Sequence, residues 1–221
     1  MQTAAVRQNQ GEAAFSKAAL SLYDTFVLHL ICRHAWRCPN SRVLAAYDEH
    51  LSANHLEVGV GTGFFLDQAR FPAAQPRLAL LDLNANCLEV TARRVARYAP
   101  EVYRANVLEP IRINARRFES LCANYVLHCL PGGMAAKGRA IGHLAALLLP
   151  GGSLFGATLL QEGVPVSALA QRLMDLFNAR RTLSNAGDSL DGLRAALAAH
   201  LDEVNIEVAG SVALFSGRAR G

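Results

Sequence analysis

No run of 18 or more apolar residues occurs, and the most apolar later stretch, Leu144 to Leu149, is cut by Pro150-Gly151-Gly152, which excludes a spanning helix. The five cysteines, Cys32, Cys38, Cys87, Cys122 and Cys129, are odd in number and form no C-x-x-C pair. That argues against a disulfide framework or a structural zinc site and favours a reducing compartment. Nor do His29, His34, His50, His55, His128, His143 and His200 fall at metal-ligand spacing. The opening MQTAAVRQNQGEAAF lacks a basic segment followed by an apolar one, so no signal peptide is expected and a cytoplasmic location is. There is no internal repeat, no low-complexity tract and no linker. Charged residues make up only 18% against 52% hydrophobic, which excludes a disordered chain. The net charge of +4 is scattered over Arg93-Arg94 with Arg97, Arg116-Arg117, Arg180-Arg181 and Arg218 with Arg220, a pattern of solvated faces and not of a nucleic-acid stripe.

What is present centres on His55-Leu56-Glu57-Val58-Gly59-Val60-Gly61-Thr62-Gly63, an apolar strand running into three alternating glycines, with Phe64-Phe65-Leu66 opening a helix. Glycine at such a turn lets the backbone approach a ligand and adopt positive φ, and the helix N-terminus that follows offers free N–H groups. A second apolar run, Arg77 to Asp82, ends on an acid placed to accept hydrogen bonds from a ribose diol. The glycines do not spell G-x-G-x-x-G, since the sixth position from Gly59 is Phe64, and there is no G-x-x-x-x-G-K-[ST] loop, which removes dinucleotide-dependent dehydrogenases and P-loop NTPases.

Around this turn the order strand, helix, strand repeats. Apolar residues at helical spacing predict a helix from Glu12 to about Arg33, and a second from Ser41, its N-cap, to Glu49. Strands are predicted from about Asn54, over Arg77 to Asp82, Glu101 to Asn106, Phe118 to Tyr125 and Ser153 to Leu160. Helices are predicted over Phe64 to Arg70, from an Asn84 cap, over Met134 to Leu149 with Pro150-Gly151-Gly152 as its breaker, along Val166 to Phe177 and over Ser189 to Ala199. The alternation implies a parallel sheet with helices on both faces. Asp202 to Val208 and Ser211 to Gly217, joined by Ala209-Gly210, form a hairpin and so bring in an antiparallel strand.

With these features in order, the chain from about residue 50 onward resembles the class I S-adenosylmethionine-dependent methyltransferases. Their motif (D/E)-x-G-x-G-x-G corresponds to Glu57-Val58-Gly59-Val60-Gly61-Thr62-Gly63. The resemblance implies a Rossmann-like α/β fold with a seven-stranded, mostly parallel sheet whose seventh strand is inserted antiparallel. It also implies an N-terminal helical cap over the active site (residues 1–50) on a cofactor-binding core (residues 51–221), together one structural unit. It places Glu57, Gly59, Gly61 and Gly63 around the methionine moiety of S-adenosylmethionine, Asp82 on the ribose, Leu83 on the adenine, Asn106 and Val107 at the adenine amino group and ring, and Asn124 at the methyl-presenting end of the fourth strand. Tyr23, with Asp24, matches an N-terminal motif that closes over the cofactor. The product would be S-adenosylhomocysteine.

The implied activity is methyl transfer to a small-molecule acceptor of specialised metabolism, with no metal required. The alternatives are a nucleic-acid or protein methyltransferase, against which the absence of (D/N)-P-P-(Y/F) at Asn124-Tyr125-Val126-Leu127 speaks, and a non-catalytic cofactor-binding regulator. Transfer from a sulfonium needs mainly alignment. A hydroxyl acceptor adds a need for a base, and His128, just past the fourth strand, is the candidate. Tyr23, Trp36 and Tyr125 are the candidate aromatic walls, with a core role for Trp36 as the alternative.

Overall fold

The computed structural model describes residues 31–221. Most of the predicted first helix, and Tyr23 and Asp24 with it, lies outside the described residues. The centre is a seven-stranded sheet in the order β3-β2-β1-β4-β5-β7-β6. Its strands are β1 (Asn54–Val58), β2 (Arg77–Asp82), β3 (Glu101–Arg104), β4 (Phe118–Cys122), β5 (Leu148–Leu159), β6 (Leu201–Ala209) and β7 (Val212–Ala219). The first five pair in parallel, whereas β7 runs antiparallel between β5 and β6. The antiparallel strand expected from the hairpin is therefore present in the sheet of seven.

Strands β1 and β2 are buried along nearly their whole length, as parallel strands covered on both faces must be. Successive residues go to opposite cores. Leu78 and Leu80 join a cluster with Val43 and Tyr47 of α1 (Asn40–His50), Phe65 and Leu66 of α2 (Phe64–Gln68), Leu88 of α3 (Ala85–Arg94) and Met174 of α5 (Ala168–Ala179). Ala79 and Leu81 join another with Ile141 and Leu144 of α4 (Gly133–Ala145) and Leu193 and Leu197 of α6 (Leu190–Ala198). Edge strand β6 instead alternates, carrying Asp202, Glu203 and Glu207 on its wet face, which protects the edge from further pairing. No helix among the described residues is long and apolar enough to cross a membrane.

Caps set several helix starts. The side chains of Asn84, Ser167 and Ser189 accept from the backbone N–H of Asn86, Ala170 and Gly192. Ser41 does not act as a cap. Helix α1 begins one residue earlier, after Pro39, whose φ of −69° and ψ of 148° end the preceding turn. The larger correction concerns Pro150-Gly151-Gly152, which lies inside β5 and not between a helix and a strand. Helix α4 has already ended at Ala145, and Phe118 pairs with Leu148 while Ser120 pairs with Ser153, so β5 carries a bulge there. A bulge has no ladder bond for a proline to remove, and Gly151 takes φ +74°. Gly152 lies so close to its neighbours that a Cβ would come 2.8 Å from the Leu149 carbonyl oxygen.

Strands β3 and β4 stop at Arg104 and Cys122, short of the predicted Asn106 and Tyr125. The residues left over form loops at the carboxyl edge of the sheet. Strand order reverses between β1 and β4, the switch point where open α/β sheets hold ligands.

Candidate active site

The glycine turn after β1 forms one wall of the crevice. Gly59, Gly61 and Gly63 have φ of +65°, +53° and +73°, a region that suits glycine. Two of the three are also fixed by packing, since a Cβ on Gly59 would come 2.3 Å from Val126 Cγ2 and one on Gly63 2.8 Å from Thr91 Cγ2. A Cβ on Gly61 would meet nothing within 4 Å, so this glycine faces open space. Helix α3 holds the turn from behind, Thr91 Oγ1 donating to the Gly61 carbonyl at 3.2 Å and Arg94 to that of Thr62 at 2.8 Å. Gly59 N–H extends the β2 ladder to the Leu81 carbonyl at 2.8 Å.

Asp82 closes β2 beside this turn. Burial pushes its carboxyl above the usual range, and backbone N–H groups of Asn84, Val60, Gly61 and Leu83 pull the other way. The Asn84 N–H donates to Asp82 Oδ1 at 2.8 Å. Leu83 follows, and with Arg104, Ala105, Asn106 and Ile111 it lines an open cleft of about 400 Å³. The structure thus brings the glycine turn, Asp82, Leu83 and Asn106 to one edge.

Two expected contacts are already engaged elsewhere. Asn106 Oδ1 accepts the Leu108 N–H at 3.1 Å, and its amide donates to Glu109 at 3.2 Å, so the side chain builds an Asx turn. Val107 is buried in the core shared with α4, and its carbonyl lies 3.0 Å from His143 Nδ1. Both oxygens of Glu57 are likewise occupied by Tyr47 and His55. No sequence signal picked out Tyr47, because its partner is ten residues away across a helix and a strand.

Beyond β4, Asn124 is buried with its Oδ1 unpartnered, in a narrow gap lined by Tyr47, Cys122 and Gly156. Tyr125 holds φ +56° while its N–H donates to the Ala157 carbonyl at 2.7 Å, a strained backbone of the kind that gathers at ligand sites. Its ring packs against Phe65 and His128. Trp36, only 4% exposed, is a core residue, the alternative that the sequence left open.

His128 is buried in the turn that follows. Its Nδ1 accepts the Leu159 N–H at 3.2 Å, with Thr158 Oγ1 at 3.4 Å, which puts the ring proton on Nε2. Its carbonyl accepts the Ser184 N–H at 2.7 Å. Burial, helped by the Lys137 charge, lowers its pKa to about 3. Lys137 itself, fully buried on α4, pairs with Asp188 and donates to the Ser184 carbonyl. A lone lysine in the apolar run Met134 to Leu149 was the available sign of that pair.

The low His128 pKa has a sign-specific consequence. An imidazole that stays neutral when folded but protonates near its ordinary value of 6.5 when unfolded gives stability fully present above pH 6.5. That stability is lost as pH falls from 6.5 toward 3. The melting temperature of His128→Gln is expected to fall less steeply over this window than that of the wild type. Parallel melting curves from pH 7 to 4 would show that the ring is not held neutral.

No protein-family model matches the chain. Among curated proteins it is 42% identical, over 93% of its length and 89% of the relative's, to demethylluteothin O-methyltransferase of Streptomyces thioluteus. It is 30% identical, over 93% of each chain, to the physcion biosynthesis cluster O-methyltransferase of Aspergillus chevalieri. Among solved structures, the N-methyltransferase NodS of Bradyrhizobium japonicum WM9 in complex with S-adenosyl-L-homocysteine superposes with a TM-score of 0.62, at 16% identity, over 92% of this chain and 98% of that one. Sheet order, glycine turn and near full-length identity to methyltransferases agree: the chain belongs to the class I S-adenosylmethionine-dependent methyltransferases.

Proposed function

We propose that this methyltransferase acts on a hydroxyl group of a small secondary metabolite in the cytoplasm. The observation that carries this reading is the 42% identity, over nearly the whole of both chains, to an enzyme named as an O-methyltransferase of demethylluteothin. The relative from the physcion biosynthesis cluster bears a name of the same kind. Five unpaired cysteines suit the compartment.

The residues present fit the cofactor. Gly61 points its missing side chain into open space, so the backbone can come close to a bound group, and Asp82 stands beside it with a carboxylate. In this reading the Gly59, Gly61 and Gly63 turn cradles the methionine end, Asp82 takes the ribose hydroxyls, and Leu83 and Asn106 flank the adenine. Val107 and Asn124 support this site from the core side. The cofactor supplies a methyl group on a sulfonium, already activated for displacement.

The protein's share is alignment and exclusion of water, with His128 as a strut instead of a base. Its Nδ1 lone pair is held by the Leu159 N–H, and its low pKa makes it a poor proton acceptor at neutral pH. The acceptor hydroxyl must then lose its proton through its own acidity. With two hydroxyl acceptors of different acidity and labelled S-adenosylmethionine, the rise of kcat/KM with pH is expected to track each acceptor's own pKa. An inflection fixed at one pH for both would restore a protein base. Absence of label from every hydroxyl acceptor in a broad panel would overturn the assignment of O-methylation.

A further inference from the structure

Glu57 ends β1 two residues before Gly59, and only 4% of it is exposed. Tyr47, on α1, donates its hydroxyl to Glu57 Oε1 at 2.7 Å. His55 Nε2 lies 3.1 Å from Oε2, and His55 Nδ1 lies 2.8 Å from Ser120 Oγ on β4. Ser120 Oγ also accepts the Ser52 N–H at 3.0 Å and lies 2.8 Å from Ser52 Oγ. Phe71 and Phe155 pack on the imidazole, and Phe65 and Phe155 on the Tyr47 ring.

The protons in this chain can be placed. Ser52 Oγ donates to the Asn54 carbonyl at 3.0 Å, which leaves the Ser120 proton for His55 Nδ1. His55 then carries its proton on Nε2 and gives it to Glu57. Every polar atom from Ser52 to Tyr47 is satisfied with a neutral imidazole and an ionised carboxylate. A buried carboxylate held from both sides is fixed in position and has little reason to turn toward a ligand.

We infer that Glu57 is a positioning residue for the glycine turn and not a ligand of the cofactor's methionine end, and that Tyr47, His55 and Ser120 are the residues through which it acts. Tyr47 ties the end of β1 to α1, and His55 with Ser120 ties it to β4. The backbone therefore enters Gly59 at a fixed angle to both walls of the crevice. The inference rests on S-adenosylmethionine occupying the glycine turn.

Calorimetric titration with S-adenosylhomocysteine, beside thermal melting, tests it on the wild type, Tyr47→Phe, Glu57→Gln and Glu57→Ala. Removing the tyrosine hydroxyl strands a buried carboxylate oxygen, and affinity is expected to drop about tenfold. Glu57→Gln is expected to stay within about threefold of wild type, because its amide oxygen accepts from Tyr47 while its NH₂ donates to His55 Nε2. The imidazole meets this by moving its proton to Nδ1 and donating to Ser120. Glu57→Ala is expected to lose about a hundredfold.

A direct ligand of the cofactor's ammonium gives the reverse order: Gln as damaging as Ala, and Tyr47→Phe unchanged or tighter. That order would overturn the inference, as would a lower melting temperature in Tyr47→Phe with unchanged affinity. Should Glu57→Ala fail to fold, the Phe and Gln variants carry the comparison. A wild type that does not bind S-adenosylhomocysteine would instead overturn the cofactor's place in the turn, and the inference with it.

Discussion

Lys137→Met is expected to cost about 3–5 kcal/mol of folding stability, the range for removing one partner of a buried ion pair. Lys137 is one of only two lysines in the chain and is fully buried. Its Nζ pairs with Asp188 and donates to the Ser184 carbonyl at 2.8 Å. Burial depresses the lysine pKa and raises that of the aspartate, and each charge opposes the shift in the other. Without the lysine, Asp188 keeps a charge in the interior, and its second oxygen already has no partner. Desolvation rather than lost attraction dominates the cost. The double variant Lys137→Met/Asp188→Leu is therefore expected to recover most of the loss in urea unfolding. A double variant as unstable as the single one would show that the pair holds the fold by geometry.

Asp82→Ala is expected to weaken S-adenosylhomocysteine binding by about a hundredfold or more. Two hydrogen bonds from a ribose diol to a carboxylate are each worth about 1.5–3 kcal/mol, and each 1.4 kcal/mol is tenfold in affinity. Asp82 sits at the last position of β2, and the side-chain contact it gives up in the fold is the Asn84 N–H. Stability should thus fall by only about 1 kcal/mol. Unchanged affinity by calorimetry, in a variant that melts normally, would remove Asp82 from the cofactor site.

Local and periodic signals were the legible part of this chain. The apolar runs of β1 and β2 and the hairpin of β6 and β7 could be read because burial on two faces or a tight turn writes itself into adjacent residues. The caps of α5 and α6 are the serines that bound the predicted helical stretches. The glycine turn was legible because positive φ restricts residue type. Pro150-Gly151-Gly152 was misread because the same residues suit a helix end and a strand bulge, and only pairing with Phe118 and Ser120 decides between them. At the site, sequence placed Asn106 and His128 at the correct edge but not their hydrogen bonds. Those depend on Leu108 N–H and on Leu159 N–H, a partner on another strand. The Tyr47 to Ser120 chain and the Lys137 pair are set entirely by contacts distant in sequence, which no local pattern encodes.

The hairpin between β6 and β7 meets the other end of the described chain. Ser211 N–H donates to the Trp36 carbonyl at 2.9 Å, and Gly210 lies so close that a Cβ would stand 2.1 Å from that oxygen. During synthesis the segment around Trp36 leaves the ribosome early, but its docking site is made of residues translated almost last. A nascent chain therefore carries an exposed tryptophan and two exposed thiols, Cys32 and Cys38, until the final strands emerge, a window in which chaperones and oxidants have access that the finished fold denies them.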